Sequence, residues 1–158
     1  MEALGELLGV ERAAAQKMCR QQPALLMSAP ATLAGNWAEI QAWAVPAAID
    51  ARAMVVGYPG LLSRSSHNLR VKWESLMAHC AANPGWSLDT LSPSSVGTLL
   101  TLAIDRHARL AKVGALAGGP EGMSVSSALP LTDERFDAAF ARLEAKCGAS
   151  EDDCLLGV

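Results

Sequence analysis

The chain has 158 residues, enough to bury a real core in one compact domain, and holds no apolar run of 18 or more that would serve as a membrane span. It is 51% hydrophobic but only 4% aromatic, with alanine and leucine dominant, a mixture that suits packed helices and argues against a β-sandwich. The formal charge of −3 gives no sign of a polyanion partner for the chain as a whole, yet it hides a basic middle (+4 over residues 52–112) and an acidic end (−5 from Glu121 onward).

Read in order, Ala3, Leu4, Leu7 and Leu8 share a helical face that ends at Gly9, a C-terminal cap. A second helix follows, with Ala14, Ala15, Met18 and Cys19 inward, and Pro23 stops it. The segment Ala24–Met27 is too short for a full helix and is expected to make one tight turn that drops both Leu25 and Leu26 inward. The next helix, set up by Pro30 and Thr32, carries Leu33, Trp37 and Ile40 on one stripe to about Trp43. Pro46 is expected to open another helix from its first turn, with Ile49, Ala53 and either Met54 or Val56 inside, closed by Gly57 and Pro59. Leu61 and Leu62 repeat the short turn, and Ser66 or Asn68 is the expected cap of a helix bearing Leu69, Trp73, Leu76, Met77 and Cys80.

These landmarks recur at a constant spacing. Pro23 and Pro59, Leu25 and Leu61, Leu26 and Leu62, Leu33 and Leu69, and Trp37 and Trp73 are each 36 residues apart. Met18 and Met54 extend the register backward, and Ile40 and Leu76 extend it forward. A fixed period in the range of roughly 20–50 residues is the mark of stacked helical repeats.

Asn83-Pro84-Gly85 reads as a turn, after which a less faithful third copy begins. Ser92 caps a helix with Pro93 at its first position, and Val96, Leu99, Leu100 and Ala103 fall at helical spacing, with Leu110, Val113 and Leu116 carrying the face onward. Gly118–Gly122 is the clearest loop. Thr132-Asp133-Glu134-Arg135 starts a last helix with Phe136, Ala139, Phe140 and Leu143 inward, and the chain from Gly148 is expected to be a loose acidic tail. The expected organisation is therefore helical repeats over 1–117, a Gly/Pro-containing loop over 118–131, a closing helix over 132–147 and a tail over 148–158.

The unit of helix, Pro-x-Leu-Leu and second helix, with leucine ten residues after the proline, resembles the mitochondrial transcription termination factor (mTERF) family. Gly9-Val10-Glu11 is similar to that family's inter-module turn, and Thr132–Phe136 to the segment closing algal and plant members. The alanine-rich style and Ser92-Pro93-Ser94-Ser95 are similar, as a second choice, to green-algal octotricopeptide repeats. The resemblance implies an all-α fold, a short α-solenoid of about three helical pairs with a C-terminal closing helix. It also implies a nucleic-acid-binding role in an organelle, the mitochondrion or alternatively the chloroplast.

Two basic clusters are the candidate phosphate contacts: Arg64, His67, Arg70 and Lys72, then Arg106, His107, Arg109 and Lys112. Helices one repeat apart run side by side in a solenoid, so the clusters are expected to form one strip; a solvated polar face is the plain alternative. Trp37 and Trp73 are expected in the core, and Trp86, in a Pro-Gly-Trp turn, is expected to be the more exposed ring, a partner-contact anchor or else packed locally.

Chemistry is sparse. Cys19, Cys80, Cys147 and Cys154 have no CxxC spacing, so free thiols are expected and neither a metal nor a disulfide framework. His79 and Cys80, adjacent on a helix, point to different faces, and no phosphate loop, nucleophile elbow or zinc-protease motif occurs. The start Met1-Glu-Ala-Leu lacks both a basic secretory n-region and the Arg- and Ser-rich look of a presequence, so an organellar form is expected to be processed or incomplete there. With about three modules and a net negative charge, the chain reads as a non-catalytic piece held in a larger assembly: no cofactor, no small-molecule substrate, no membrane. Its expected partners are RNA, rRNA first, and neighbouring proteins of a ribonucleoprotein such as an organellar ribosome. A transcription or RNA-maturation factor acting in trans and a pure protein scaffold remain the alternatives.

Overall fold

A computed structural model describes residues 2–83, 85–88, 91–116 and 123–155, with side chains through residue 147. Among the described residues every regular element is helical: α1 Glu2–Leu8, α2 Arg12–Gln21, α3 Ala24–Met27, α4 Pro30–Ala44, α5 Ala51–Gly57, the 3₁₀ turn η1 Pro59–Ser63, α6 Ser66–Ala82, α7 Pro93–Thr101, α8 Ile104–Gly114, α9 Val125–Ala128 and α10 Asp133–Leu155. The expected all-α class is what the chain adopts. Packing divides it into two compact units, Met1–Trp73 with Leu91–Thr101, and Glu74–Thr90 with Leu102–Val158.

In the first unit the 36-residue spacing is present in the backbone itself. Gln22 and Tyr58, which follow α2 and α5, have nearly the same torsions, φ −133°, ψ 83° and φ −135°, ψ 78°. Each donates its N–H four residues back, Gln22 to Met18 at 2.8 Å and Tyr58 to Met54 at 2.9 Å. Leu25 then donates to Gln22 as Leu61 donates to Tyr58, and Leu33 to Ala29 as Leu69 donates to Ser65. Leu33 and Leu69, Trp37 and Trp73, and Leu4 and Ile40 are all buried. Helix α1 ends at Leu8 and α4 ends 36 residues later, at Ala44.

Helix ends follow elementary stereochemistry. Gly9 takes φ +62°, the left-handed conformation that lets Val10 donate back to Gly5 and close α1. The same closure ends α4, where Ile49 donates to Ala44 and Ala48 to Val45, but there the left-handed residue is Ala48, at φ 58°. Pro46 accordingly sits in this turn and does not open a helix. The start of α5 is set instead by Asp50, whose Oδ1 accepts from the Ala53 N–H at 2.9 Å. Because α5 begins at Ala51, its buried face is Ala51, Met54 and Val55, and Ala53 turns outward.

Similarly, Ser65 lies at the cap of α6, where Ser66 or Asn68 was expected: the Asn68 N–H reaches its Oγ at 3.5 Å. Farther along α6, Met77 is exposed and Cys80 half-buried. Helices α5 and α7 pack closely because two glycines lie at the crossing: a Cβ on Gly57 would come within 2.5 Å of Ser94 Cβ, and one on Gly97 within 3.2 Å of Leu61, Met54 and Tyr58. Trp43 stacks on Trp73 with ring centroids 4.7 Å apart, and its Nε1 is buried without a hydrogen-bond acceptor.

The two Pro-x-Leu-Leu turns differ in burial. Leu61 and Leu62 are both fully enclosed, whereas in the first turn Leu25 is buried and Leu26 is 58% exposed, with Met27 at 88%. The expectation that both leucines of the first turn go inward therefore fails. Around η1 stand α2, α3, α4, α5 and α7; α3 packs on α2 and η1.

In the second unit Leu110 and Val113 of α8, Val125, Ala128 and Leu129 around α9, and Phe136 and Leu143 of α10 are buried. Helix α7 ends at Thr101, so Ala103 is an exposed cap of α8 rather than part of the Val96–Leu100 face. Thr132 caps α10, its Oγ1 accepting from the Arg135 N–H at 3.4 Å. Helix α10 runs on to Leu155, through most of the segment expected to be a loose tail. The loop Gly118–Gly122, Pro84 of the Asn83-Pro84-Gly85 turn, and the Cys154 side chain lie outside the described residues.

Candidate nucleic-acid interface

The first cluster lies in the first unit, at and just before the start of α6. Arg64 closes η1, and its carbonyl accepts from Asn36 Nδ2 at 3.1 Å, which fixes the chain as it enters the helix. Leu69 and Trp73 take the inward stripe of α6, so helical spacing leaves His67 and Arg70 exposed; Arg64, before the helix, is exposed as well. Arg70 forms an ion pair with Glu39, its Nε donating to Oε1 at 2.6 Å, and this offsets part of the local positive charge. Lys72 is half-buried; burial, and secondarily the positive charge of Arg64, holds its ammonium below the ordinary lysine range. Cations crowded in this way favour an anion between them.

The second cluster is in the second unit and is put together differently. His107 and Arg109, both proposed above as phosphate contacts, are buried, at 2% and 6% exposure. Arg109 points at the end of α9: Nη1 donates to the carbonyls of Ala128 at 3.2 Å and Leu131 at 2.6 Å, and Nη2 pairs with Asp133 Oδ1. Its guanidinium also lies 4.8 Å from the centroid of the Phe136 ring. A short helix leaves its last carbonyls without intrahelical partners, and a planar five-donor fork satisfies several of them together. Arg106 is half-buried and reaches the Leu129 and Pro130 carbonyls at 3.5 Å. Only Lys112 of this cluster is exposed. His107 and Arg109 are therefore corrected from phosphate contacts to interior residues: backbone carbonyls of the same unit claim Arg109, and His107 is buried.

Trp86 is also corrected. It is 5% exposed, and its indole N–H donates to the Met123 carbonyl at 3.0 Å, so the ring is interior to the second unit. An indole that finds an acceptor for its N–H in its own chain has no polar reason to remain in water. Nearby, Asn83 Nδ2 donates to the His79 carbonyl at 2.9 Å, and burial pushes the Cys80 thiol up. Cys19, Cys80 and Cys147 are free thiols.

Among the described residues no group of three His, Cys, Asp or Glu side chains is placed to hold a metal ion, and no helix is long and apolar enough to cross a membrane. Comparison with family models, with curated proteins and with solved structures finds no match to this chain. What the sequence did not signal is an apolar groove of about 470 Å³ in the first unit, between α1, α3 and α4. Its one legible trace is the Leu26-Met27 pair, two apolar side chains beyond the one that the turn can bury.

Proposed function

We propose that this chain is a short helical-repeat protein of mTERF-like type, about three helical pairs with α10 as its closing helix, that attaches to RNA phosphates as a non-catalytic subunit of a larger ribonucleoprotein. An organellar ribosome is the assembly that the family resemblance favours. The observation that carries the reading is the exposed start of α6, where Arg64, His67 and Arg70 stand in water and Arg64 is near enough to Lys72 to oppose its charge. The matched torsions and hydrogen bonds of the two Pro-x-Leu-Leu segments support the repeat. Lys72 and Arg64 oppose each other's charge in the free protein, a cost that a bound phosphate removes.

The contact surface in this reading is Arg64, His67, Lys72 and the partly neutralised Arg70. About three phosphate contacts to single-stranded RNA give a slope near −2 in a plot of log affinity against log salt. The experiment is a titration of the purified chain with single-stranded RNA at several salt concentrations. A slope near −2 supports phosphate attachment. No binding at about 50 mM salt defeats it and leaves a protein scaffold. Co-sedimentation with ribosomal particles separates a ribosomal subunit from a factor that acts in trans.

A further inference from the structure

Lysine occurs in this chain at Lys17, Lys72, Lys112 and Lys146. Lys17, Lys112 and Lys146 are exposed, and Lys72 alone is half-buried. Its place on α6 explains why. Buried Leu69 lies three residues before it and buried Trp73 directly after it, so its stem runs along the margin of the apolar stripe. Asn68 stands four residues before Lys72 and Arg64 four before that, which puts all three on one side of the helix start. Arg70 is engaged by Glu39, whereas the Arg64 guanidinium has no acceptor among the described residues. Burial and, secondarily, the charge of Arg64 hold the Lys72 ammonium below the ordinary lysine range, which enlarges its share of neutral amine. A lysine partly desolvated and set beside another cation is the form in which this side chain acts as a nucleophile.

We propose that Lys72 is an acylation site that takes the acyl group of an acyl phosphate, with the Arg64 guanidinium holding the phosphate beside the amine. The closeness of the two groups selects this donor. In an acyl phosphate a phosphate oxygen is bonded to the reacting carbonyl carbon, so one small molecule meets both the cation and the nucleophile. Neutral Nζ attacks the carbonyl carbon, the bond from that carbon to the phosphate oxygen breaks, and an amide forms. Inorganic phosphate leaves and takes up the proton that the amine gives up. The amide carries no charge, so one event deletes a cation from the surface read above as the RNA contact. The inference rests on that surface holding phosphate, which is part of the reading above, and not on RNA itself.

The test is incubation of the folded chain with acetyl phosphate below the ordinary lysine value of 10.5, at about pH 8, with acetylation of each lysine followed by peptide mass spectrometry. Lys17, Lys112 and Lys146 are the internal standards. Lys72 should react at least about threefold faster than any of them, although it is the least exposed, and the preference should vanish in urea. Arg64→Gln, at an exposed position, should keep the helical circular dichroism and bring Lys72 down to the rate of the standards. The N-hydroxysuccinimide ester of acetic acid, which carries no phosphate, should prefer Lys72 less than acetyl phosphate does.

Acetylation of Lys72 no faster than that of the standards, or a preference indifferent to Arg64→Gln, would overturn the proposal. So would an equal preference with the phosphate-free ester, since the phosphate would then play no part. Single-stranded RNA separates this inference from the reading above: it should protect Lys72 from acetyl phosphate and leave the standards unprotected. If Lys72 is acetylated selectively but RNA neither binds nor protects, RNA attachment has failed and the acylation site stands. If RNA binds and acetylation is unselective, the acylation site alone has failed.

Discussion

Arg64, His67, Arg70 and Lys72 lie at the start of α6, where Arg64, His67 and Arg70 are exposed and Leu69 and Trp73 are buried, whereas on α8 His107 and Arg109 are buried, Arg106 is half-buried and only Lys112 is exposed. As strings of residue types the two runs are close to interchangeable. What separates them is the supply of unsatisfied carbonyls nearby. Beside α8 the short helix α9 ends at Ala128, and Arg109 takes up carbonyls beyond that end together with Asp133. At the start of α6 the carbonyls of Leu62 and Arg64 are already taken by Asn36, so the cations there remain on the surface. A basic cluster is available to phosphate only when the backbone has not claimed it first.

That contrast can be broken by substitution. On α6, stability should reside in the apolar stripe: Trp73→Ala, which also removes the stack with Trp43, should cost about 3–5 kcal/mol in urea unfolding. A loss below about 1 kcal/mol would mean that the ring contributes little to the core. On α8, stability should reside in a cation: Arg109→Ala should cost about 2–4 kcal/mol by leaving backbone carbonyls without their donor. Arg109→Lys should recover only part of this, since an ammonium cannot reproduce the fork. If both variants were as stable as the parent, the interior role of Arg109 would fall.

Smaller effects are expected on the outer face of α6. Arg64→Glu with Lys72→Glu should change stability by no more than about 0.5 kcal/mol while weakening RNA attachment and flattening its salt dependence. Unchanged attachment would remove this surface from the proposal. The smallest effect is one of pH. The lowered Lys72 pKa means that the folded chain binds this proton less well than the unfolded chain does, so the charged side chain subtracts from stability at neutral pH. Stability should rise as pH climbs from that lowered value toward the ordinary lysine value of 10.5. Lys72→Gln should therefore raise the melting temperature slightly at pH 7, and its advantage over the parent should vanish above pH 10.5. A variant less stable than the parent at neutral pH would reverse the sign and refute the cause given.

Much of the fold was legible because burial and periodicity coincide. Leu33 and Leu69, and Trp37 and Trp73, occupy the positions that the 36-residue register assigns, and Gly9 closes α1 as its type suggests. Leu26 escaped because the same residue in the same turn is enclosed or not according to what stands over it, and sequence spacing says nothing of that neighbour. Pro46 misled because proline suits a helix start, yet here Ala48 adopts the left-handed conformation and the turn absorbs the proline. Trp86 and Arg109 were misread for one reason. Each is polar at its tip, and the acceptors that draw them inward, Met123 and the segment 128–133, lie 37 and about 20 residues away in sequence. Sites made by distant backbone carbonyls leave no local pattern to read.

The stacked indoles of Trp43 and Trp73 make the chain its own optical reporter. Together with Trp37 they belong to the first unit, and Trp86 belongs to the second. Two aromatic transitions held 4.7 Å apart couple electronically and give a paired band of opposite signs in circular dichroism, which disappears when α4 and α6 separate. Emission also senses Trp86 as it leaves the Met123 carbonyl. Curves from the two signals that coincide would show one cooperative melting, and curves that part would show two, with no dye attached.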